Sequence, residues 1–160
     1  MKTVSLTMAM LLFIINCHAQ KFPKVKEVPQ SVLAAAQKQY AQVHIKKWEK
    51  RNDNFVAYFS ESRRKQYAFF SADGAWIKTE TKIPWSRDLP PAVKNSFGNT
   101  VFISWYIDEM KEVSSPGKDM YVIQVHHNDG PDGAIPGDND NVYKLSFNPD
   151  GSLIKKEHKE

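Results

Sequence analysis

Cysteine is nearly absent: the 160-residue chain has one, Cys17, lying inside its N-terminal apolar stretch. A disulfide framework is therefore excluded, and stability must come from packing. Long apolar runs are missing too. The stretch from Val4 to Ile15 is too short to span a bilayer, and nothing later is longer, so no membrane span is expected. Charge of one sign is never concentrated: 22 Lys and Arg stand against 18 Asp and Glu, scattered without a long basic block. That distribution argues against a nucleic-acid partner. The seven glycines lie singly in turns instead of between a strand and a helix, which excludes a phosphate-cradling loop.

The N-terminus reads as an export signal. Lys2 supplies the positive start, Val4 to Ile15 the apolar segment, and Cys17-His18-Ala19 a small-x-small cleavage site before Gln20. A lipoprotein site would need a small residue just before the cysteine, where Asn16 stands. Residues 1–19 are thus expected to be a signal peptide, and the mature protein periplasmic or secreted. Removing Lys2 takes the 22 basic residues to 21 against 18 acidic ones, a net charge of about +3.

The informative feature is an internal duplication. Val28-Pro29-Gln30-Ser31-Val32 and Leu89-Pro90-Pro91-Ala92-Val93 each place an apolar-Pro pair before a helical pattern. Phe70-Ser71-Ala72-Asp73-Gly74-Ala75-Trp76 and Phe147-Asn148-Pro149-Asp150-Gly151-Ser152-Leu153 each place an Asp-Gly turn between apolar runs. Between these markers the pattern predicts a helix over Ser31–Tyr40 and strands near Val43–Lys50, Asn54–Ser60, Gln66–Ala72 and Ala75–Thr81. The second set is a helix over Pro90–Phe97 and strands near Val101–Val113, Met120–His127, Val142–Phe147 and Leu153–Glu157. The expected organisation is a signal peptide over 1–19, an N-terminal arm over 20–27, a first helix-plus-four-strand repeat over 28–81, a linker over 82–88 and a second repeat over 89–160. Trp85, in that linker, is expected to plug the junction of the two units. The fold class is α+β, with antiparallel sheet.

The order apolar-Pro-x-x-Val, then Trp48 within Lys-Lys-Trp-Glu, then Phe55-Val56-Ala57-Tyr58-Phe59, then Phe70-Ser71-Ala72-Asp73-Gly74 resembles the PepSY-like, beta-lactamase-inhibitor-like (BLIP-like) proteins exported by Gram-negative bacteria. The resemblance runs from Val28 to the C-terminus in two copies. It implies tandem helix-plus-sheet units with helices on one face and the other face open, and it implies no catalytic residues. Two features depart from the family pattern: a short second helix and an inserted loop from Asn128 to Asn141.

Alternation along the strands sorts the side chains into two faces. Phe55, Ala57, Phe59, Ala68 and Phe70, with Tyr121, Ile123, Val125, Leu145 and Phe147, fall beneath the helices. The other face carries Val56, Tyr58, Tyr67 and Phe69 in the first unit but Val122, Gln124, His126, Lys144 and Ser146 in the second. An aromatic set on a face without helices predicts an exposed apolar interaction patch; the alternative is that the N-terminal arm or a second copy covers it. Val56, Tyr58, Tyr67 and Phe69 are the candidate binding face, and Trp48, Trp76 and Trp105 are assigned to packing.

Chemistry-bearing groups are sparse. Asp132, Asp138 and Asp140 in the Asn128–Asn141 loop offer oxygens for calcium, yet the spacing fits no EF-hand and the composition is that of a solvated turn. His126 and His127, adjacent on a strand, point to opposite faces and cannot share an ion. Asp108, Glu109 and Glu112 have the density of a solvated edge. No cofactor is expected. The function expected is a non-catalytic binding or inhibitory module engaging a protein or peptide, as monomer or weak dimer. The alternatives are a small hydrolase and a calcium-dependent structural protein.

Overall fold

A computed structural model of the chain describes residues 27–127 and 142–159. The leader, most of the arm and the candidate calcium residues Asp132, Asp138 and Asp140 lie outside them. Pro29 and Pro90 introduce the two helices, α1 (Gln30–Gln39) and α2 (Pro91–Gly98), because proline pre-sets the backbone for a first turn that needs no N–H. Each helix buries an i, i+4 pair, Val32 with Ala36 and Val93 with Phe97.

Four strands follow each helix. After α1 come β1 (Lys47–Arg51), β2 (Asn54–Glu61), β3 (Arg64–Ser71) and β4 (Trp76–Lys82). After α2 come β5 (Tyr106–Ser115), β6 (Lys118–His126), β7 (Val142–Phe147) and β8 (Leu153–Lys159). All eight form one antiparallel sheet in sequence order, and β4 pairs with β5 across the junction. The tight turns are sequence-encoded: Asn52, Ser62 and Arg63 take positive φ in the first two hairpins, and Gly117 takes +73° after Pro116.

Two apolar clusters lie between the helices and one sheet face. Val28, Val32 and Ala36 meet Trp48, Phe55, Ala57, Phe59, Ala68 and Phe70. Leu89, Val93 and Phe97 meet Phe102, Met110, Ile123, Val125, Leu145 and Phe147. Burying one such side chain contributes about 1.5–3 kcal/mol, so these clusters take the role that disulfides cannot. Both Asp-Gly turns press on a helix. Gly74 has φ +94°, and a Cβ there would stand 2.7 Å from the Ser31 carbonyl oxygen; Gly151 has φ +89°, and its Cβ would stand 2.6 Å from that of Ala92. The Ser31 hydroxyl also donates to the Ala72 carbonyl at 3.0 Å.

Three expectations need correction, the first being the strand over Val43–Lys50, which begins only at Lys47 because residues 41–46 form a turn and irregular backbone. The first strand of the second set does not begin at Val101. Residues 100–105 wind through turns, with Ile103 N–H bonded to Thr100 O (3.3 Å) and Trp105 N–H to Phe102 O (3.0 Å). Phe102 turns inward while Val101 (80% exposed) and Ile103 (57%) face out. Trp85 does not plug the junction: it is 60% exposed, with the Arg87 guanidinium 5.5 Å from its ring centroid.

Candidate functional site

The strand registers settle which residues share the face opposite the helices. Lys47 pairs with Tyr58, Tyr58 with Tyr67, Tyr67 with Glu80, Glu80 with Val113 and Val113 with Met120. The neighbouring row runs Glu49, Val56, Phe69, Lys78, and a further one runs Lys82, Lys111, Val122, Ser146, Lys155. Among the described residues no helix packs on this face.

Val56, Tyr58, Tyr67 and Phe69 do share it, but not as a bare apolar patch. Val56 is fully buried, Phe69 is 9% exposed, and the two tyrosines are half-buried. Cations lie over the rings: Lys47 Nζ 4.2 Å from the Tyr58 centroid and Lys78 Nζ 4.6 Å from that of Phe69. Tyr58 and Tyr67 meet edge to face at 5.0 Å. The Tyr58 hydroxyl donates to Glu49, and Arg51 donates to both. Burial, with the Glu49 carboxylate beside it, pushes the Tyr58 phenol up to about 12.

From β4 onward the face becomes a ladder of alternating charge. Glu80 accepts from Lys78 at 2.6 Å and Lys111 at 2.8 Å; Glu109 lies 3.4 Å from Lys111 and 3.1 Å from Lys82. Burial opposes ionisation of Glu80, but the two lysines outweigh it and hold the carboxyl below its ordinary range. The same contest, decided by Lys82 and Lys111, lowers Glu109. Beyond the ladder lies a shallow groove of 240 Å³, with Val113, Met120, Val122 and Ile154 offering apolar surface among Lys78, Lys111, Lys144 and Lys155. Lys155 meets Glu157 at 2.7 Å.

The other singled-out groups fall elsewhere. His126 Nδ1 lies 2.5 Å from Asp108 Oδ1 and its ring stacks on Tyr106, whereas His127 sits against Trp105. Asp108 and Glu109 therefore face different partners. Trp48 is 3% exposed in the core, and Trp76 donates to Thr79 at 3.0 Å. The residues missed by the aromatic reading are Lys78 and Lys82 of β4, Lys111 of β5 and Lys155 of β8, whereas alternation already put Lys144 of β7 on this face. Part of their signal was present, since Lys78 and Lys82 stand next to the buried Thr79 and Ile83, but it required the register to be read.

Comparison with curated proteins finds no match. Among solved structures the fold recurs in a DUF2874 family protein from Bacteroides ovatus (24% identity, TM-score 0.71, 81% of this chain and 86% of that one). It recurs in a BLIP-like protein from Bacteroides fragilis (23% identity, TM-score 0.70, 82% and 89%). A third is a protein from Bacteroides eggerthii described as "putative periplasmic" (23% identity, TM-score 0.67, 81% and 88%). The family model described as "Putative beta-lactamase-inhibitor-like, PepSY-like" matches residues 13–67 and 53–155, and the chain belongs to that family.

Proposed function

We propose that this protein is a non-catalytic binding or inhibitory module that engages a protein or peptide through the helix-free face of its sheet, in the periplasm or outside the cell. The observation that carries the reading is the groove on that face, where apolar floor and charged rim stand together as they do at protein interfaces. The carboxylates in and beside it, Glu80 and Glu109, are held ionised by lysines, the opposite of the raised value a general acid requires. Among the described residues no helix is long and apolar enough to cross a membrane, and the Bacteroides eggerthii relative is described as "putative periplasmic".

The reading includes a tandem duplication, with units 28–81 and 89–160 joined by 82–88. Equivalent positions support it: Val28 and Leu89 are each 5% exposed, Val32 and Val93 each 0%, and Phe70 and Phe147 0% and 1%. Turn bonds recur as well, Gly74 N–H to Ser71 O at 3.0 Å and Gly151 N–H to Asn148 O at 2.9 Å.

Site-specific photo-cross-linking tests the reading. A photoreactive residue at Tyr67 or Lys144, on the proposed face, is compared with one at Lys38 on the exposed side of α1, in cell-envelope extract. A discrete adduct from the sheet positions and none from Lys38 is the expected result. Adducts confined to Lys38, or to a probe at the exposed Trp85, would place the interaction elsewhere and sink it.

A further inference from the structure

We infer that the partner is acidic and apolar by turns, presenting carboxylates to the β7–β8 end of the groove and an aliphatic side chain to its floor. This rests on the proposed face being the binding surface. The charges within the groove do not cancel: four lysines, Lys78, Lys111, Lys144 and Lys155, line it against two glutamates, Glu80 and Glu157. Glu80 is already shared by Lys78 and Lys111, and Glu157 is held by Lys155. Lys144 makes no ion pair within 4 Å among the described residues, although its charge reaches Glu157 and helps keep it ionised. Of the four, Lys144 on β7 is therefore the lysine left without an ion pair among the described residues, beside the Lys155–Glu157 pair of β8.

The floor has complementary chemistry. Val122 and Val113 are 4% and 8% exposed, and Met120 is half-buried beside them. On the rim, Ile154 is 37% exposed, and Leu153, the residue before it, 52%. A volume of 240 Å³ holds about one or two side chains, not a folded element. A basic partner would bring like charges against Lys144 and Lys155, and a wholly apolar one would strip water from lysines without pairing them. An extended segment with carboxylates flanking a leucine or valine meets both demands.

The test titrates the full chain with the blocked peptide Glu-Leu-Asp-Leu-Glu, followed by amide chemical shifts and calorimetry. Two control peptides carry Gln/Asn or Lys in place of the acidic residues. The acidic peptide is expected to bind, to shift Val113, Val122 and Lys144, and to weaken at least about tenfold in Lys144→Glu with Lys155→Glu. Lys38→Glu should leave binding unchanged, and thermal melting of both variants checks that each remains folded. Equal binding of the uncharged peptide, indifference to the double substitution, or no binding of the acidic peptide overturns the inference. Photo-adducts at Tyr67 and Lys144 would still stand in that case, so failure of the acidic preference is separable from failure of the face.

Discussion

Gly151→Ala should be among the most damaging single-methyl changes available in this protein, and the reason can be divided into two parts. The backbone at Gly151 has φ +89°, where an L side chain is strained by about 1–2 kcal/mol. The added Cβ would also stand 2.6 Å from the Ala92 carbonyl oxygen and 2.7 Å from Ser96 Oγ. The serine can rotate away, but the carbonyl belongs to the first turn of α2 and moves only if the helix lifts off Leu145 and Phe147. Overpacking of that kind costs a further 1–3 kcal/mol or so. The total is roughly 2–5 kcal/mol, a large share of the stability of a domain this size.

Three other glycines calibrate that figure. Gly74→Ala meets φ +94° and the Ser31 carbonyl at 2.7 Å, and should match Gly151→Ala. Gly117→Ala has φ +73° but nothing within 4 Å, so only the backbone part remains, about 1–2 kcal/mol. Gly98→Ala, in α2 with open space around it, should stabilise by roughly 0.5–1 kcal/mol. Urea unfolding midpoints at unchanged m-value give the four numbers directly. If Gly151→Ala costs no more than Gly117→Ala, the close approach of turn to helix is not a source of stability and the reasoning is wrong.

Two further outcomes are expected. Glu80 has a carboxyl lowered in the folded state, so its contribution is fully present above the ordinary carboxylate value and is lost as pH falls through the lowered one. Glu80→Gln should cost at most about 1 kcal/mol at neutral pH, because the pair is partly solvated, and should flatten the acid limb of the stability curve; an unchanged acid limb refutes the ladder's role. Trp48→Ala should cost about 3–5 kcal/mol in denaturant unfolding, since Trp48 is 3% exposed, whereas Trp85→Ala at 60% exposure should stay within about 0.5 kcal/mol. Comparable losses at the two positions would restore Trp85 as a junction plug.

What was legible in the sequence was local. The Asp-Gly turns, the apolar-Pro helix starts and the two-residue alternation are set by neighbouring residues, and they place both helices and all eight strands within a few positions. The exceptions are residues 43–46, which precede β1 without joining it, and Val101-Phe102-Ile103, apolar enough to read as strand. Thr100 competes for the backbone there: its hydroxyl donates to Phe97 O at 2.7 Å and accepts from Phe102 N–H at 3.3 Å, bending the chain into turns. The helix-free face was legible in membership and not in character. Whether Phe69 is bare or capped depends on the residue opposite, and that residue, Lys78, is known only once β3 and β4 are in register across an irregularity between Phe69 and Phe70. The same holds for Lys47 against Tyr58. Lysine stems are apolar enough to lie on an aromatic ring while the ammonium stays wet, so an aromatic stripe on a sheet need not be a greasy one.

On the proposed reading, that charge also decides how a partner could approach. Among the described residues β1 and β8 are the sheet's edges, a position that usually invites strand addition, and both are lysine-rich: Lys47, Lys50 and Arg51 on β1, Lys155, Lys156 and Lys159 on β8. An added strand would set its side chains about 4.5–5.5 Å from these cations, which discourages pairing between two copies, since each copy brings the same charges. Lys156 is further engaged with the Tyr143 and Phe102 rings, at 5.5 and 5.7 Å. Recognition by backbone pairing is therefore disfavoured relative to recognition by side chains on the face. A face read through side chains discriminates by charge and shape, whereas an edge read through backbone accepts almost any extended chain. If the proposed face is the binding surface, the cations at the edges and in the groove favour a selective partner over a promiscuous one.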